Sequence, residues 1–474
     1  MENKSDDLNK KAATAGIWYT IGNIFLKGCV FLSLPIFTRI MTVDDFGIYN
    51  TYIAYEAIVA AALGLGFYAT IKNAKLKYNN NFNSYLSSIV TINIVFLLIV
   101  LLLSNCLYPI YSDALGYSRL VVNMLIYQSF ASSLIQIYSC KLNIEFKYKS
   151  YLFISALNTF LNIGLSIIFV VFVFPNEQYL GRIIGTIFPL VLISVYIIFV
   201  IYLKGKKLFD KKFCLFALKL GLPLIPHVLS QSLLSQFDRI MITQFCGDYD
   251  AGIYSFIYSV STILSVLALS FDNAWTPWVY YKKNSSMEID VKIASRKYVL
   301  FFGLLTLGFV SIIPEAIMIL GSKDYQVGIP MIVPLSLSNF FIFLYFIPVN
   351  LEYYNNKTLF VSVGTVMASI INFVLNLIFI PKFGYMAAAY TTLISYFLLF
   401  VFHMIIARKS GLNKCYDTMY IFVIIGLMLV VCSINLFLLD YKFISIIFRY
   451  TIVLCIIVYL VINRKKYLMV LKKK

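Results

Sequence analysis

Fourteen apolar stretches decide what this chain can become. They lie near residues 14–37, 46–70, 84–110, 119–140, 151–174, 181–203, 215–237, 251–271, 298–320, 327–350, 359–380, 386–407, 418–438 and 443–463. Each reaches the roughly 20 residues that a helix needs to cross hydrocarbon. Spread over 474 residues, they leave connections too short for a soluble domain on either face. Alternating segments of the β-barrel kind are absent, so each stretch reads as a helix that satisfies its own backbone hydrogen bonds. Composition agrees: 61% hydrophobic and 13% charged residues exclude an ordinary soluble protein. The first run is longer than a signal-peptide core and lacks a small-residue cleavage pattern, so it reads as a retained span.

The formal net charge of +18 then needs a location. With the N-terminus placed in the cytoplasm, the inside connections carry Lys4, Lys10 and Lys11, then Lys72, Lys75 and Lys77, then Lys141, Lys147 and Lys149. Later come Lys204 to Lys212, Lys282 to Lys297, Lys357, Arg408 to Lys414, and a tail from Arg464 to Lys474. Together these hold 29 of the 39 basic residues, against seven at the opposite helix ends: Arg39, Arg119, Arg182, Arg239, Lys323, Lys382 and Lys442. That asymmetry is the positive-inside pattern, with both termini cytoplasmic. Nucleic-acid binding is not needed to explain the charge.

The halves of the chain echo each other. Phe37-x-Arg39-Ile40-Met41, an acidic turn at Asp44/Asp45 and Gly47-Ile48-Tyr49 recur as Phe237-x-Arg239-Ile240-Met241, Asp248/Asp250 and Gly252-Ile253-Tyr254. Asn158 and Asn162 in span 5 recur as Asn372 and Asn376 in span 11, followed by Gly181 and Gly384 respectively. The expected fold is an all-α polytopic membrane protein of about 14 transmembrane helices. Two six-helix lobes (1–205 and 206–410) are related by an internal repeat and followed by two additional helices (411–474). Such lobes suggest a transporter with its site near the bilayer midplane.

Polar residues on inward faces mark that site, because lipid would penalise them. Span 1 carries Gly16, Thr20, Asn23 and Lys27 on one stripe; span 2 carries Tyr49, Tyr52 and Glu56. Span 7 carries His227, Ser230, Gln231, Ser235 and Asp238, with Pro223 and Pro226 a turn earlier; span 8 carries Tyr254, Tyr258, Ser261 and Ser265, with Asp272 further along. The cavity set is therefore Asn23, Lys27, Tyr52, Glu56, Lys219, His227, Gln231, Tyr254 and Tyr258, and ion or proton coupling falls to Glu56, His227 or Asp272. Lys27 sits halfway along its span, where a lysine costs about 2.5–3.5 kcal/mol on an insertion scale. Glu56 is its natural partner, either as a structural ion pair or as part of an anion site. Arg39 and Arg239 read as locks at the outer ends of the repeat, against Asp45 and Asp238. The proline pairs 223/226 and 330/334 mark bends.

Enzyme motifs are missing: no HExxH, no GxGxxG after a strand and no GxxxxGK[ST]. Asp248-Tyr249-Asp250 has the form of a glycosyltransferase DxD but sits in a short turn, where it reads as a helix cap. The cysteines (29, 106, 140, 214, 246, 415, 432, 455) form no CxxC and read as packing residues; neither a metal nor a cofactor is called for.

The ordered series Gly16-x-Trp18, Leu34-Pro35-Ile36-x-Thr38-Arg39, Phe46-Gly47-x-Tyr49, Gly221-x-Pro223-x-x-Pro226-His227, Asp238-Arg239, Gly252-x-Tyr254-Ser255 and Asn273-x-Trp275-x-Pro277-Trp278 resembles the bacterial polysaccharide flippases. Asn372, Asn376, Pro381, Gly384 and Ala387 to Ala389 continue it, so the resemblance runs from about residue 12 to 407. These belong to the multidrug/oligosaccharidyl-lipid/polysaccharide exporter superfamily. The resemblance implies flipping of undecaprenyl-diphosphate-linked oligosaccharide (O-antigen or capsule repeat units) across the bacterial inner membrane by alternating access, driven by H+ or Na+. It also implies spans 13 and 14 as holders of the lipid tail, and a polysaccharide polymerase and chain-length regulator as partners. On that reading Lys27 and Lys219 attract the diphosphate, and the tyrosines stack on sugars. A drug or organic-cation antiporter, a lipid II flippase, a membrane glycan enzyme and a non-transporting scaffold are the alternatives. The topology has a direct test: alkaline phosphatase fused after Asn176 is expected to be active and after Lys206 inactive, and the opposite result reverses the orientation.

Overall fold

The computed structural model describes residues 2–463; the basic tail from Arg464 lies outside them, as do the side chains of Lys4, Lys10 and Lys11. It is helical throughout, with no strand among the described residues. Among the described residues fourteen helical segments are long and apolar enough to cross a membrane, one for each stretch expected from the sequence. The proximate causes are ordinary: apolar runs with at most two charges per window, ended by caps. Thr42 caps the helix Val43–Leu63 by accepting from the Asp45 amide, Asp210 caps Lys211–Gly221, and Asp417 caps Thr418–Leu438. Asp248 and Asp250 lie in the first turn of Asp248–Asn284, where the helix dipole favours carboxylates; the cap position itself is Gly247, with no side-chain cap hydrogen bond, so the cap reading gives way to a dipole one.

The chain divides into two compact units, Met1–Thr243 and Gln244–Lys474. Span 7 (Lys211–Cys246) thus falls largely in the first unit, although the repeat groups it with the spans that follow. The physical reason is a backbone contact. Span 2 (Val43–Lys77) breaks between the helices Val43–Leu63 and Phe67–Lys77, with Gly66 at φ +65°. Span 7 breaks between Lys211–Gly221 and Ile225–Cys246, through a 3-10 turn holding Pro223. The two breaks meet: a Cβ on Gly66 would lie 2.5 Å from the Gly221 carbonyl oxygen, and one on Gly221 would lie 2.3 Å from the Leu65 carbonyl oxygen. A hydrogen bond of 2.7 Å between the Thr51 and Thr243 hydroxyls ties the same spans further along.

Within the first unit span 4 (Arg119–Ile144) is the most enclosed, with 61% of its apolar window buried. In the second unit that place goes to span 10 (Lys323–Tyr354), at 78%. Spans 5 (Tyr148–Val173) and 6 (Gln178–Gly205) pack backbone to backbone: a Cβ on Gly181 or Gly185 would strike Phe169 or Ser166 within 3 Å. The asparagines of the echo behave alike. Asn162 accepts from Arg182 of the following helix at 3.2 Å, and Asn376 accepts from Thr391 of the following helix.

Spans 13 and 14 (Thr418–Leu438, Lys442–Ile462) are fixed to span 9 (Glu288–Leu320) by two ion pairs near its opposite ends. Arg296 binds Asp417 with its Nε 2.8 Å from Oδ2; Arg449 binds Glu315 at 2.6 Å and also donates to the Ser311 carbonyl at 3.1 Å. Arg449, a charge inside an apolar run, is therefore a structural residue.

The glycine contact is the feature to test. Gly66→Ala and Gly221→Val are each expected to destabilise the fold by more than about 2 kcal/mol, because backbone must move to admit the Cβ. Gly16→Ala, built into open space, is the neutral control. Monodispersity on fluorescence-detected size exclusion and Tm of the purified variants report the difference; an unshifted Tm for Gly221→Val would remove the contact from the account.

Candidate functional site

Span 1 (Thr14–Ile40) takes its place against span 5 through aromatic residues at helical spacing. Trp18 stacks on Tyr148, Tyr19 meets Tyr151 edge-on, and the Tyr19 hydroxyl donates to the Leu142 carbonyl at 3.2 Å. Asn23 belongs to this seam: its Oδ1 accepts from the Tyr151 hydroxyl at 2.9 Å. Asn23 is half-buried there, and its amide NH2 is not engaged by that bond. Lys27, one turn on, is exposed, and the position beside it, Gly28, faces open space. Among the described residues Lys27 has no ion-pair partner.

Glu56 is not that partner. It is buried on the face of span 2 that packs on span 4, beside Ser132, and Ser129 donates to its backbone carbonyl at 3.2 Å. Its Oε1 makes no hydrogen bond among the described residues. The expected pair with Lys27 is thus replaced by two separate groups, since span 1 packs on span 5 while Glu56 turns toward span 4. Tyr52 is a second correction. It is completely buried, donates to Gln128 Oε1 at 3.0 Å and packs edge-on against Tyr117, so it holds spans 2 and 4 together instead of offering a ring to a sugar.

Span 7 presents the rest of the first unit's candidates. Lys219 is exposed at the end of Lys211–Gly221, and Gln231 is exposed two turns beyond the break. His227 between them is half-buried, and its Nδ1 has no hydrogen-bond partner among the described residues. Asp238 and Arg239 are buried near the far end, where Arg239 donates to Gln236 and to the Ser235 carbonyl. Asp45 accepts from Thr42 at 2.7 Å and from the Tyr179 amide at 3.2 Å, which joins the start of span 2 to span 6; Arg39 is exposed.

In the second unit Tyr254 is completely buried, against its expected place on a cavity wall, and tilts on Tyr258, which is half-buried. Asp272 accepts from Asn350 at 2.5 Å and from Thr276 at 3.1 Å, so its carboxylate is hydrogen-bonded without a cation. Among the described residues no cluster of three or more His, Cys, Asp or Glu side chains could hold a metal ion.

The sequence reading passed over the most enclosed ionisable pair. Glu352, near the end of span 10, and His403, in span 12 (Met386–Lys409), are both completely buried, with Nδ1 3.0 Å from each carboxylate oxygen. Tyr345 packs edge-on against the ring at 5.1 Å, and Gly364 of span 11 leaves room for it: a Cβ there would lie 2.5 Å from Nε2. That Nε2 has no partner among the described residues. The available signal was a Glu just past the end of one apolar run and one of only two His, inside another, each a residue type that lipid tolerates only when paired or functional.

A family model described as polysaccharide biosynthesis protein matches residues 13–281. No curated protein sequence matches the chain. Among solved structures, the lipid II flippase MurJ in an inward closed conformation aligns over 95% of this chain and 100% of its own, at 15% identity and a TM-score of 0.75. An inward-facing multidrug resistance MATE family transporter of the MOP superfamily covers 82% of this chain and 96% of its own, at 13% identity and a TM-score of 0.65. A MOP superfamily transporter from Pyrococcus furiosus covers 86% and 97%, at 13% identity and a TM-score of 0.57. At such identities these likenesses concern the fold, that of MOP-superfamily transporters. The family match spans more than half of the sequence, and the chain belongs to the polysaccharide biosynthesis protein family.

Proposed function

We propose that the protein flips an undecaprenyl-diphosphate-linked oligosaccharide from the cytoplasmic to the outer leaflet of the bacterial inner membrane by alternating access. The observation that carries this reading is Lys27: a cation halfway along a membrane span, exposed, with open space beside it and no counter-ion among the described residues. A lysine at that depth is costly in hydrocarbon, and on this reading the Lys27 stripe of span 1 lines a wet passage whose charge suits an anionic headgroup. Lys219 and Gln231, also exposed, extend the polar lining. A passage for organic cations would favour carboxylates at those positions. Family membership and a transporter fold support flipping over catalysis on glycans.

Coupling to H+ or Na+ falls to buried groups whose charge can change. Glu56 has no cation beside it, so its charge can change only with uptake or release of a proton or a metal cation. Asp272 is in the same position, and the Glu352 and His403 pair adds a proton-holding unit. Substrate and ion shift the conformational equilibrium only as far as they bind its two states differently.

Complementation of a flippase-null strain tests the site. Lys27→Ala, expressed at the wild-type level, is expected to cut surface polysaccharide by about tenfold or more, with Lys27→Arg retaining most of it. Glu56→Gln is expected to fold and to lose ion-driven transport in proteoliposomes. Full complementation by both Lys27→Ala and Glu56→Gln would sink the assignment. For the second unit, Glu352→Leu alone should destabilise by roughly 3–5 kcal/mol, and Glu352→Leu/His403→Phe should recover stability, because an apolar pair replaces a buried ionic one. Loss of transport in the folded double variant assigns coupling to the pair; full transport makes it purely structural.

A further inference from the structure

The first unit holds a second, separate feature at the ends of spans 4, 5 and 6. There an open cleft of about 300 Å³ is lined by Tyr138, Lys141, Glu145 and Lys147, by Ser150 of span 5, and by Lys204 with Tyr196, Val200 and Leu203 of span 6. None of these residues is in the proposed passage, and flipping uses none of them.

Its charge is out of balance. Three lysines share one carboxylate, and that carboxylate is already committed, since Glu145 binds Lys147 at 2.5 Å. Lys141 and Lys204 are left over, and Lys141 is the buried one. It is 3% exposed, its ammonium lies 5.3 Å from the centre of the Tyr138 ring, and no hydrogen-bond acceptor reaches it among the described residues. Lys204, Lys147 and Lys75 add to the positive field around it, against Glu145 alone. The Lys141 side chain is buried while its residue lines the cleft among like charges, an arrangement that an anion arriving from outside would relieve.

The rest of the lining says which anion. Ser150 and Lys147 belong to the first turn of the helix Tyr148–Ile168, whose free amides and dipole favour phosphate. The Tyr138 and Tyr196 hydroxyls and the Ser150 hydroxyl supply further donors. Val200 and Leu203 line the cleft beside an exposed face of span 6, where Leu203 is 60% and Phe199 62% exposed, in line for acyl chains. The cleft lies where three spans end, at the depth of headgroups, and basic pockets between helices at that level are suited to anionic lipid.

We infer that this cleft is a binding site for the phosphate of an anionic phospholipid headgroup, with Lys141 and Lys204 as its charge-bearing ligands and the lipid tails lying along span 6. The site is independent of the flipping reaction: it would anchor the first unit to the bilayer while the passage cycles.

The test uses the full-length purified protein in neutral detergent, with phosphatidylglycerol as probe, phosphatidylcholine as the zwitterionic control and inorganic phosphate as the free anion. Native mass spectrometry counts bound lipid, and Tm reports stabilisation. Phosphatidylglycerol is expected to bind saturably and raise Tm more than phosphatidylcholine. Lys141→Met and Lys204→Gln should each weaken phosphatidylglycerol binding by about tenfold while leaving Tm in phosphatidylcholine near wild type. Lys141→Arg should restore it. If Lys141→Met does not fold, Lys204→Gln and Lys147→Gln carry the comparison. Competition by inorganic phosphate at millimolar concentration would keep the phosphate site and make the free ion its source. Equal binding of the two lipids, or unchanged phosphatidylglycerol binding in Lys204→Gln and Lys141→Met, overturns the proposal.

Discussion

In hydrocarbon an unmade backbone hydrogen bond has no water to turn to, and this protein is arranged around that fact. Its spans are helices because a helix closes its own hydrogen bonds. Where a span departs from that pattern, another piece of protein covers the departure. The break in span 2 is covered by the break in span 7, carbonyl against glycine. The π-turn Phe169–Val173 at the end of span 5 is covered by Gly181 of span 6, packed on Phe169 and Val170. Glycine appears at these points because only a hydrogen in place of a side chain allows two backbones to share them.

The same economy governs charge. Arg449 has Glu315, Arg296 has Asp417, and His403 has Glu352. Against that background an unpaired group within a span stands out. Among the described residues Lys27 with open space beside it and Glu56 buried without a cation are, with Asp272 and Lys141, places where the membrane's usual condition for ionisable groups is not met by the protein itself. A transported anion and a coupling ion would meet it intermittently, which is what a cycle requires.

How far the sequence could be read depended on what kind of quantity was asked of it. Spans are averages over about 20 residues, so their number and order followed from hydropathy alone. Faces of helices followed from periodicity. The neighbour opposite a face did not, because periodicity places Asn23 and Lys27 on one stripe without saying that Tyr151 takes the first and nothing takes the second. Tyr52 and Tyr254 read as ligands for sugars because tyrosine suits both a wet wall and a core, and only the three-dimensional packing separates the two uses. Glu352 and His403 are 51 residues apart and join helices that are not consecutive, so neither carries a local signal of the other.

The ion pair between Arg449 and Glu315 has a history as well as a geometry. Its partners are 134 residues apart, with Glu315 emerging first. At about 5–20 residues per second, span 9 waits on the order of 7–27 s before the guanidinium that neutralises it has even been made. During that interval the Glu315 carboxyl group stays near the helix end, remains at the insertion machinery or takes a temporary partner. The helix Lys442–Ile462 is therefore the delayed counter-charge that lets an earlier one settle.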